Sequence, residues 1–268
     1  MQDVKAERAR EWNAVARGLP DRDTSIFAIT TTAAPALLDA VGGARGAHLL
    51  DVACGPGTLV GEARRRGIDF TGIDLAADMI DEARRLHPGV EFRVGDAENL
   101  DFPDSTFDCV TSNFGVQMLP DPVRAFAEAR RVLKPGGRYG FTTFHDGPAD
   151  DLFRLVQEAV AAEGTPVPAK TFWGLDDCVR LLAAAGFEDV TAGERILVGT
   201  LESGPEQVLD VIATAGRPWY LLKPQTPEQR TRIDRAIVAG AARHRDGDRI
   251  ALRVSTILAT GRNHRRAT

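Results

Sequence analysis

The chain has 268 residues, of which 43% are hydrophobic and 26% charged, as in a globular protein and unlike a disordered or collagen-like chain. No apolar stretch approaches the roughly 20 residues of a membrane-spanning helix, and the charged N-terminal segment argues against a secretory signal. A net charge of −5 argues against a broad nucleic-acid interface. Cys54, Cys109 and Cys178 are spaced too widely for a disulfide framework or a zinc site. We therefore expect a cytoplasmic protein without a membrane or nucleic-acid partner.

The first half of the chain alternates between predicted strands and predicted helices. Helices are predicted over residues 4–16 and 24–41, the second ending at Gly42-Gly43. The predicted strands are residues 47–52, 70–74, 90–94, 107–112 and 138–144, with helices over 58–66, 77–86 and from Pro122, which Asp121 caps. Such alternation indicates right-handed βαβ units and a parallel sheet covered by helices on both faces.

The second half has a different rhythm. Helices are predicted over 150–162, 175–185, 206–215 and 227–244, and strands over 188–201 and 249–260. We predict an α/β fold with a doubly wound, mostly parallel seven-stranded sheet, N-terminal helices and a helical insertion between the last two strands. One domain, 1–268, is expected, with its core at about 45–145 and a variable cap from 1–44, 145–187 and 203–247.

The strongest local signal is the run from Asp51 to Thr58, Asp-Val-Ala-Cys-Gly-Pro-Gly-Thr. Gly55 and Gly57 let the backbone pass close beneath a ligand, and the following helix points free N–H groups at it. Val60 stands where a nicotinamide-binding loop needs its third glycine, and the chain has no P-loop motif. A diphosphate is therefore not favoured. A plain strand-to-helix turn is the alternative interpretation of this segment alone.

Three further polar residues end consecutive predicted strands: Asp74, Asp96 and Asn113. A carboxylate at Asp74 can accept from both hydroxyls of a ribose, and one at Asp96 from the exocyclic amine of adenine. Each acid taken singly is also a common helix cap or turn former. Their joint occurrence, in order along one sheet edge, favours an adenosine-binding site.

These motifs resemble those of the class I S-adenosylmethionine-dependent methyltransferases, in particular the subgroup of ubiquinone/menaquinone-biosynthesis methyltransferases. The matching segments are residues 48–57, Gly72-Ile73-Asp74, 95–100, 107–110 and 132–137. The resemblance covers about residues 45–145 and is loose beyond them. It implies S-adenosyl-L-methionine as the cofactor, and no metal is expected because no two histidines have metal-ligand spacing.

The resemblance also implies roles for the strand-end residues. The cofactor residues it indicates are Asp51 and Gly55 at the methionine end, with Ala53 and Gly57 in the same loop, Asp74 at the ribose, Leu75, Asp96 and the Ala97 N–H at the adenine, and Asn113 at the amino-acid moiety. One departure is that Ala53 stands where the family's loop has its first glycine.

Acceptor and catalytic residues are predicted from their places in the chain. His145, directly after the fifth strand, is the candidate general base, with a polar loop residue as the alternative. Gln117 and Met118 are expected near the transferred methyl group. The other substrate-binding candidates are the aromatic residues Trp12, Phe172, Trp173, Trp219 and Tyr220, although aromatic residues in helical caps are more often core.

The expected function is methyl transfer to a C, O or N atom of a small organic molecule, in bacterial biosynthesis of a quinone-like or specialised metabolite. Two alternatives stay open: an enzyme of the same fold and cofactor that catalyses a non-methylating step such as cyclisation, and a non-catalytic partner that keeps the fold. Monomer and homodimer are both compatible with the sequence.

Overall fold

The computed structural model describes residues 2–19, 25–147, 149–167 and 173–264. Helix α1 (Gln2–Arg17) is followed by α2 (Ile26–Thr31) and α3 (Ala34–Ala40). The prediction of one helix over 24–41 is therefore wrong. The helix is interrupted by a turn at Thr32 and Ala33. Pro35, in the first turn of α3, has no backbone N–H with which to continue the preceding helix.

Five parallel strands form the centre of the sheet. They are β1 (His48–Val52), β2 (Asp69–Asp74), β3 (Glu91–Val94), β4 (Phe107–Asn113) and β5 (Leu133–Phe144). Helices α4 (Val60–Arg66), α5 (Ala77–Leu86) and α6 (Pro122–Val132) connect them. β2 and β3 lie on one side of β1, and β4 pairs with its other side. The strand order reverses between β1 and β4, which is where such sheets bind ligands.

The rest of the chain adds helices and two long antiparallel strands. Its elements are α7 (Asp151–Glu163), α8 (Leu175–Ala184), β6 (Glu188–Leu201), α9 (Val208–Thr214), α10 (Gly216–Leu222), α11 (Pro227–Ala241), β7 (Arg245–Asp246) and β8 (Arg249–Arg262). The sheet order is β3-β2-β1-β4-β5-β8-β6, with the short β7 paired to β8. The mostly parallel sheet and the helical insertion before its last strand are confirmed, and α10 and β7 are additions to the prediction.

Three apolar clusters stabilise this arrangement. One contains Phe126 and Phe141, and a second contains Leu37 and Leu49. The third belongs to the cap and joins α2, α7, α9 and α11 to the part of β8 near Val254. Because Phe144 at the end of β5 pairs with Thr256, residues 249–255 of β8 project past the carboxyl edge of the parallel strands. The cap core is therefore built beside the ligand-binding edge.

Among the described residues, no helix has the length and apolar character needed to cross a membrane.

Candidate cofactor and acceptor site

A cavity of about 1080 Å³, open to solvent, lies at the carboxyl ends of the parallel strands. The strand ends contribute Ala53, Gly55, Asp74, Leu75, Asp96, Ala97 and Asn113, all of them predicted cofactor residues. The opposite walls come from α1 and α2, from the segment 114–120, from Phe144, and from Thr214 and Ala215. The structure thus brings most of the predicted cofactor set together in one place.

The glycine loop after β1 depends on left-handed backbone. Gly57 has φ +82°, and a Cβ added there would lie 2.7 Å from His87 Cδ2. The imidazole of His87 is buried, with Nε2 3.2 Å from the carbonyl oxygen of Pro56. Gly57 therefore faces this supporting histidine and is not among the cavity-lining residues. The sequence signal for His87 was only its place directly after α5.

The loop that follows β4 packs closely against the glycine loop that follows β1. Ala53 has φ +56°, which is unusual for a residue with a side chain. A Cβ added at Gly115 would lie 2.5 Å from the Cβ of Ala53. Glycine at 115 is thus what leaves room for alanine at 53.

Asp51, at the base of the loop, is completely buried and is not among the described residues that line the cavity. Its Oδ1 accepts a hydrogen bond from the Thr111 hydroxyl at 2.8 Å, whereas its Oδ2 has no hydrogen-bond partner among the described residues. Burial, reinforced by the nearby Asp74 carboxylate and opposed by the Thr111 hydroxyl, raises the pKa of Asp51 to about 8. A buried carboxyl in this state is stabilised by a cationic group placed against it.

The side chain of Asp74, at the end of β2, is hydrogen-bonded to the loop that follows β1. Its Oδ2 accepts from the backbone N–H of Gly55 and its Oδ1 from that of Ala76, both at 2.9 Å. Burial raises the pKa of Asp74, and these N–H groups act in the opposite direction. These contacts hold the carboxylate in a fixed orientation at the cavity wall, and its remaining acceptor capacity is available to hydroxyl groups.

Asp96 is linked to the N-terminal helix. Lys5 Nζ on α1 lies 2.7 Å from Asp96 Oδ2 and 2.6 Å from Glu98 Oε2. The side chain of Glu98 is only 1% exposed, and its Oε1 accepts from the backbone N–H of Asp121 at 2.9 Å. Sequence reasoning missed Lys5, because nothing local marks a contact between residues 91 positions apart.

Asn113 connects three elements through one amide. Its Nδ2 donates to the Thr30 carbonyl oxygen at 3.1 Å and to the Thr58 hydroxyl at 3.0 Å, and its Oδ1 accepts from the Thr142 hydroxyl at 2.7 Å. The side chain lines the cavity, but its main hydrogen-bonding capacity is used to hold α2 and the glycine loop against β5.

The structure does not place His145 in the cavity wall. Its Nε2 lies 3.2 Å from Glu194 Oε1 on β6, and its backbone N–H donates to the Ser255 carbonyl oxygen at 3.0 Å. The cavity wall at this strand end is Phe144 instead. Gln117 and Met118 do line the cavity, and Gln117 Oε1 accepts from the Thr143 hydroxyl at 2.7 Å.

The predicted acceptor aromatics fall in different places. Trp12 on α1 lines the cavity, as predicted. Trp173 packs on the rings of Phe126 and Phe141, with centroid distances of 6.4 and 6.2 Å, so it belongs to a core cluster away from the cavity. The prediction of Trp173 as a substrate residue is corrected on this ground.

The remaining aromatic candidates are Phe172, Trp219 and Tyr220. Phe172 lies outside the described residues. Trp219 and Tyr220 fall within α10, where the sequence suggested an interruption between helices, and Tyr220 is 36% exposed. Missed by the sequence were the cap residues Ile26, Phe27 and Thr214, which line the cavity without any local motif.

A family comparison matches residues 50–141 to the model of the methyltransferase domain. The chain is 36% identical over 172 residues to a demethylmenaquinone methyltransferase of Paenarthrobacter aurescens, covering 58% of this chain and 68% of the relative. The chain belongs to the class I S-adenosylmethionine-dependent methyltransferases. The resemblance to the quinone-biosynthesis members of this family is thereby confirmed.

Relatives at similar sequence identity include a second kind of methyltransferase. A malonyl-[acyl-carrier protein] O-methyltransferase of Pseudescherichia vulneris is 31% identical over 171 residues, covering 61% of this chain and 68% of that protein. A demethylmenaquinone methyltransferase of Renibacterium salmoninarum is 36% identical over 133 residues, covering 50% of this chain. The chain spans about half the length of such relatives, 56% of the Renibacterium protein and 47% of one from Beutenbergia cavernae.

Solved structures agree with the fold. The [4+2]-cyclase SpnF has a TM-score of 0.53 at 22% identity, covering 86% of this chain and 80% of that chain. The YcgJ protein of Bacillus subtilis has a TM-score of 0.55 at 16% identity, covering 88% of this chain and 99% of that chain. At these identities the likeness concerns the fold alone.

The residues present fit the family's cofactor. The partnerless oxygen of Asp51 suits the cofactor's ammonium group, and the cavity offers carboxylates at Asp74 and Asp96 for its adenosine hydroxyls and amine. Among the described residues, no group of three or more His, Cys, Asp or Glu side chains is placed to hold a metal ion.

Proposed function

We propose that this chain transfers a methyl group from S-adenosyl-L-methionine to a C, O or N atom of a small organic molecule. The observation that carries the proposal is the buried Asp51 oxygen without a partner among the described residues, at the base of a loop whose Ala53 and Gly55 line the same cavity as Asp74 and Asp96. A site built this way matches a cationic amino acid attached to adenosine, and it contains no lysine in its loop for a diphosphate.

The chain's own residues bind the cofactor and the acceptor and orient them. When bound, the cofactor supplies a methyl group on a sulfonium, which is already an activated leaving group. Asp51 would hold the ammonium end of the cofactor, Asp74 its ribose and Asp96 its adenine amine, and the bound cofactor would supply the methyl group to an acceptor in the rest of the cavity. Alignment of two reactants can contribute on the order of 7–11 kcal/mol to lowering the barrier. The rings of Phe114 and Phe144, 4.5 Å apart, form an apolar wall that excludes water from this side.

The acceptor we propose is quinone-like or a related specialised metabolite with an apolar body. Trp12, Phe27, Met118 and Leu119 line the part of the cavity beyond the cofactor residues. A largely apolar wall favours burial of an aromatic or aliphatic skeleton over a charged one. The demethylmenaquinone methyltransferases among the relatives support this choice.

Calorimetry with S-adenosylhomocysteine tests the cofactor half of the proposal. We expect saturable binding that is unchanged by EDTA. Asp74→Asn should weaken the affinity about 10- to 100-fold, because one charge-assisted acceptor is lost. Asp81→Asn, the same change at an exposed position of α5, is the matched control and should leave the affinity unchanged. Binding of NAD with no binding of the adenosyl compound would overturn the proposal.

Product analysis tests the reaction. Reduced naphthoquinones are incubated with the protein and methyl-labelled cofactor, and the products are examined by mass spectrometry. A mass gain of one CH₂ group with transfer of label supports methylation. An isomer of unchanged mass would indicate a non-methylating step such as cyclisation, and absence of any product from a panel that includes carboxylate and amine acceptors would indicate a non-catalytic protein.

A further inference from the structure

A second cavity, of about 960 Å³ and open to solvent, lies between α1 and the end of α9. We call this space the α1–α9 cavity. It shares one wall with the main cavity, and the residues of that wall are Arg8, Trp12, Met118, Thr214 and Ala215. None of the predicted cofactor residues belongs to this shared wall. An acceptor bound in the main cavity can therefore extend into the α1–α9 cavity without displacing the cofactor.

The wall of the α1–α9 cavity is mostly apolar, with Trp12, Val15 and Met118 as its large side chains. Thr214 is 3% exposed, and its hydroxyl donates to carbonyl oxygens of its own helix. Among the described lining residues, Arg8 and Glu11 are the ionisable side chains. This pair therefore decides which charge the cavity can recognise.

Arg8 uses only part of its hydrogen-bonding capacity within the described chain. Its Nη1 lies 2.7 Å from Glu11 Oε2, three positions further along α1, and no other hydrogen bond joins the guanidinium to a described residue. A pair at this spacing on a helix surface contributes little to stability. The edge formed by Nε and Nη2 therefore keeps its two donors for a ligand.

Lys5, the other cation of the main cavity wall, is already balanced. Its Nζ lies 2.7 Å from Asp96 Oδ2 and 2.6 Å from Glu98 Oε2. The described residues that line the two cavities include no further Lys, Arg or His side chain. An anionic group that enters either cavity therefore finds its available donors at Arg8.

Another arginine of this chain shows what the same edge of a guanidinium can bind. Arg253 donates from Nε to Asp151 Oδ2 at 2.8 Å and from Nη2 to Asp151 Oδ1 at 3.0 Å. The two parallel N–H groups match the two oxygens of a carboxylate in spacing and direction. Arg8 offers this edge where the two cavities meet.

We infer that Arg8 binds a carboxylate of the methyl acceptor, and that this end of the acceptor lies in the α1–α9 cavity. The inference rests on the proposed function. The acceptor's apolar ring lies against Trp12 and Met118, which line both cavities, and its reacting atom lies in the main cavity. The carboxylate takes no part in the methyl transfer, but its contact with Arg8 orients the ring. Arg8 is thus a specificity-determining residue for acceptors whose carboxylate is remote from the methylated atom.

Calorimetry near neutral pH with saturating S-adenosylhomocysteine tests the inference without turnover. The two probes, 6-hydroxy-2-naphthoate and 2-naphthol, share a ring and a hydroxyl and differ in the carboxylate. We expect the naphthoate to bind the unmodified chain about 10- to 100-fold more tightly, because two charge-assisted hydrogen bonds are added. Arg8→Met should abolish this preference. Arg8→Lys, which keeps the charge without the fork, should retain part of it.

Arg10→Met is the matched control, because Arg10 is exposed on the same helix and lines neither cavity. It should bind both probes as the unmodified chain does. Ala213 lines the α1–α9 cavity and not the main one, so it reports where the carboxylate lies. Ala213→Glu should weaken naphthoate binding about tenfold through its added negative charge and leave 2-naphthol binding unchanged. Ala213→Gln, of similar size but uncharged, should alter neither affinity.

The outcomes separate the two proposals. Failure of S-adenosylhomocysteine to bind the unmodified chain would overturn the proposed function. If that compound binds normally, equal affinities for the two probes, no binding of either, or a preference that persists in Arg8→Met would overturn the role of Arg8. Weaker binding of S-adenosylhomocysteine to Arg8→Met would assign Arg8 to the cofactor's own carboxylate and would also overturn it. An unchanged naphthoate affinity in Ala213→Glu would overturn the placement in the α1–α9 cavity.

Discussion

The cofactor edge and the cap edge of the cavity are held by different kinds of contact. At the cofactor edge, Asp74 is fixed by the backbone N–H groups of Gly55 and Ala76, and distant side chains such as Lys5 at Asp96 add to these backbone contacts. At the cap edge, Asp151 is fixed by the side chain of Arg253, 102 residues away. We therefore expect substitutions in the cap to alter acceptor affinity more readily than cofactor affinity.

The largest effect is expected when the loop's backbone is strained. Gly57→Ala introduces a Cβ at φ +82° that would overlap His87, so we expect a loss of about 3 kcal/mol in the free energy of unfolding, and weaker cofactor binding. Gly42→Ala is the control: its φ is +74°, but no atom lies within 4 Å of the added Cβ, and a loss of about 1 kcal/mol is expected. Urea unfolding measures both, and equal losses would show that His87 does not support the loop.

Two tryptophans distinguish core from cavity wall. Trp173→Ala should lower the free energy of unfolding by about 2–3 kcal/mol, because its ring packs on Phe126 and Phe141, with no change in affinity for the acceptor. Trp12→Ala, which removes a ring from the cavity wall, should weaken acceptor binding and cost less stability. The opposite pattern would restore Trp173 as an acceptor residue.

The buried Asp51 makes stability depend on pH. Its pKa in the folded chain, about 8, is higher than the ordinary value of 3.8, so the folded state gains stability at low pH that is lost as the pH rises toward 8. Relative to Asp51→Asn, the unmodified chain without cofactor should lose about 2 kcal/mol between pH 6 and pH 8, since one proton accounts for at most about 1.4 kcal/mol per pH unit.

Cofactor binding should show the converse dependence. A cationic ammonium group favours ionised Asp51, so the affinity for S-adenosylhomocysteine should rise over the same pH range. Binding of the compound should also release a proton from the protein. Calorimetry in buffers of different ionisation enthalpy detects that proton. An affinity that is flat with pH in the unmodified chain would separate Asp51 from the cofactor.

The smallest effect is expected at His145. Its partner Glu194 is 57% exposed, and a pair of that kind contributes about 0–1 kcal/mol. His145→Ala should therefore change the free energy of unfolding by no more than about 1 kcal/mol and leave S-adenosylhomocysteine affinity unchanged. A loss of turnover of about 100-fold or more in this variant would instead support His145 as the general base.

The local signals in the sequence were sufficient for the cofactor edge. Glycine, proline and capping residues act within a few positions, so the helix at 77–86 and the strand at 188–201 agree with α5 and β6 to the residue. The polar residues at the ends of β1 to β4 reach one cavity because parallel strands bring their carboxyl ends to one edge.

The acceptor side could not be predicted in the same way. Thr30 reaches Asn113 across 83 positions, and no local pattern marks either partner. The second-half aromatics were assigned by residue type, yet whether a ring such as Trp173 joins the core or the cavity depends on how α8 packs on the sheet.

The contact between positions 53 and 115 imposes an order on how this loop can diverge in evolution. Gly115 has φ −92°, so alanine is conformationally acceptable there, and the obstacles are contacts, above all the Cβ of Ala53 at 2.5 Å. We therefore expect a side chain at 115 to be tolerated only when residue 53 is glycine and Ser112, whose Oγ lies 2.9 Å from the added Cβ, can move. A side chain at both positions should be destabilising, so the two sites should change in sequence and not independently.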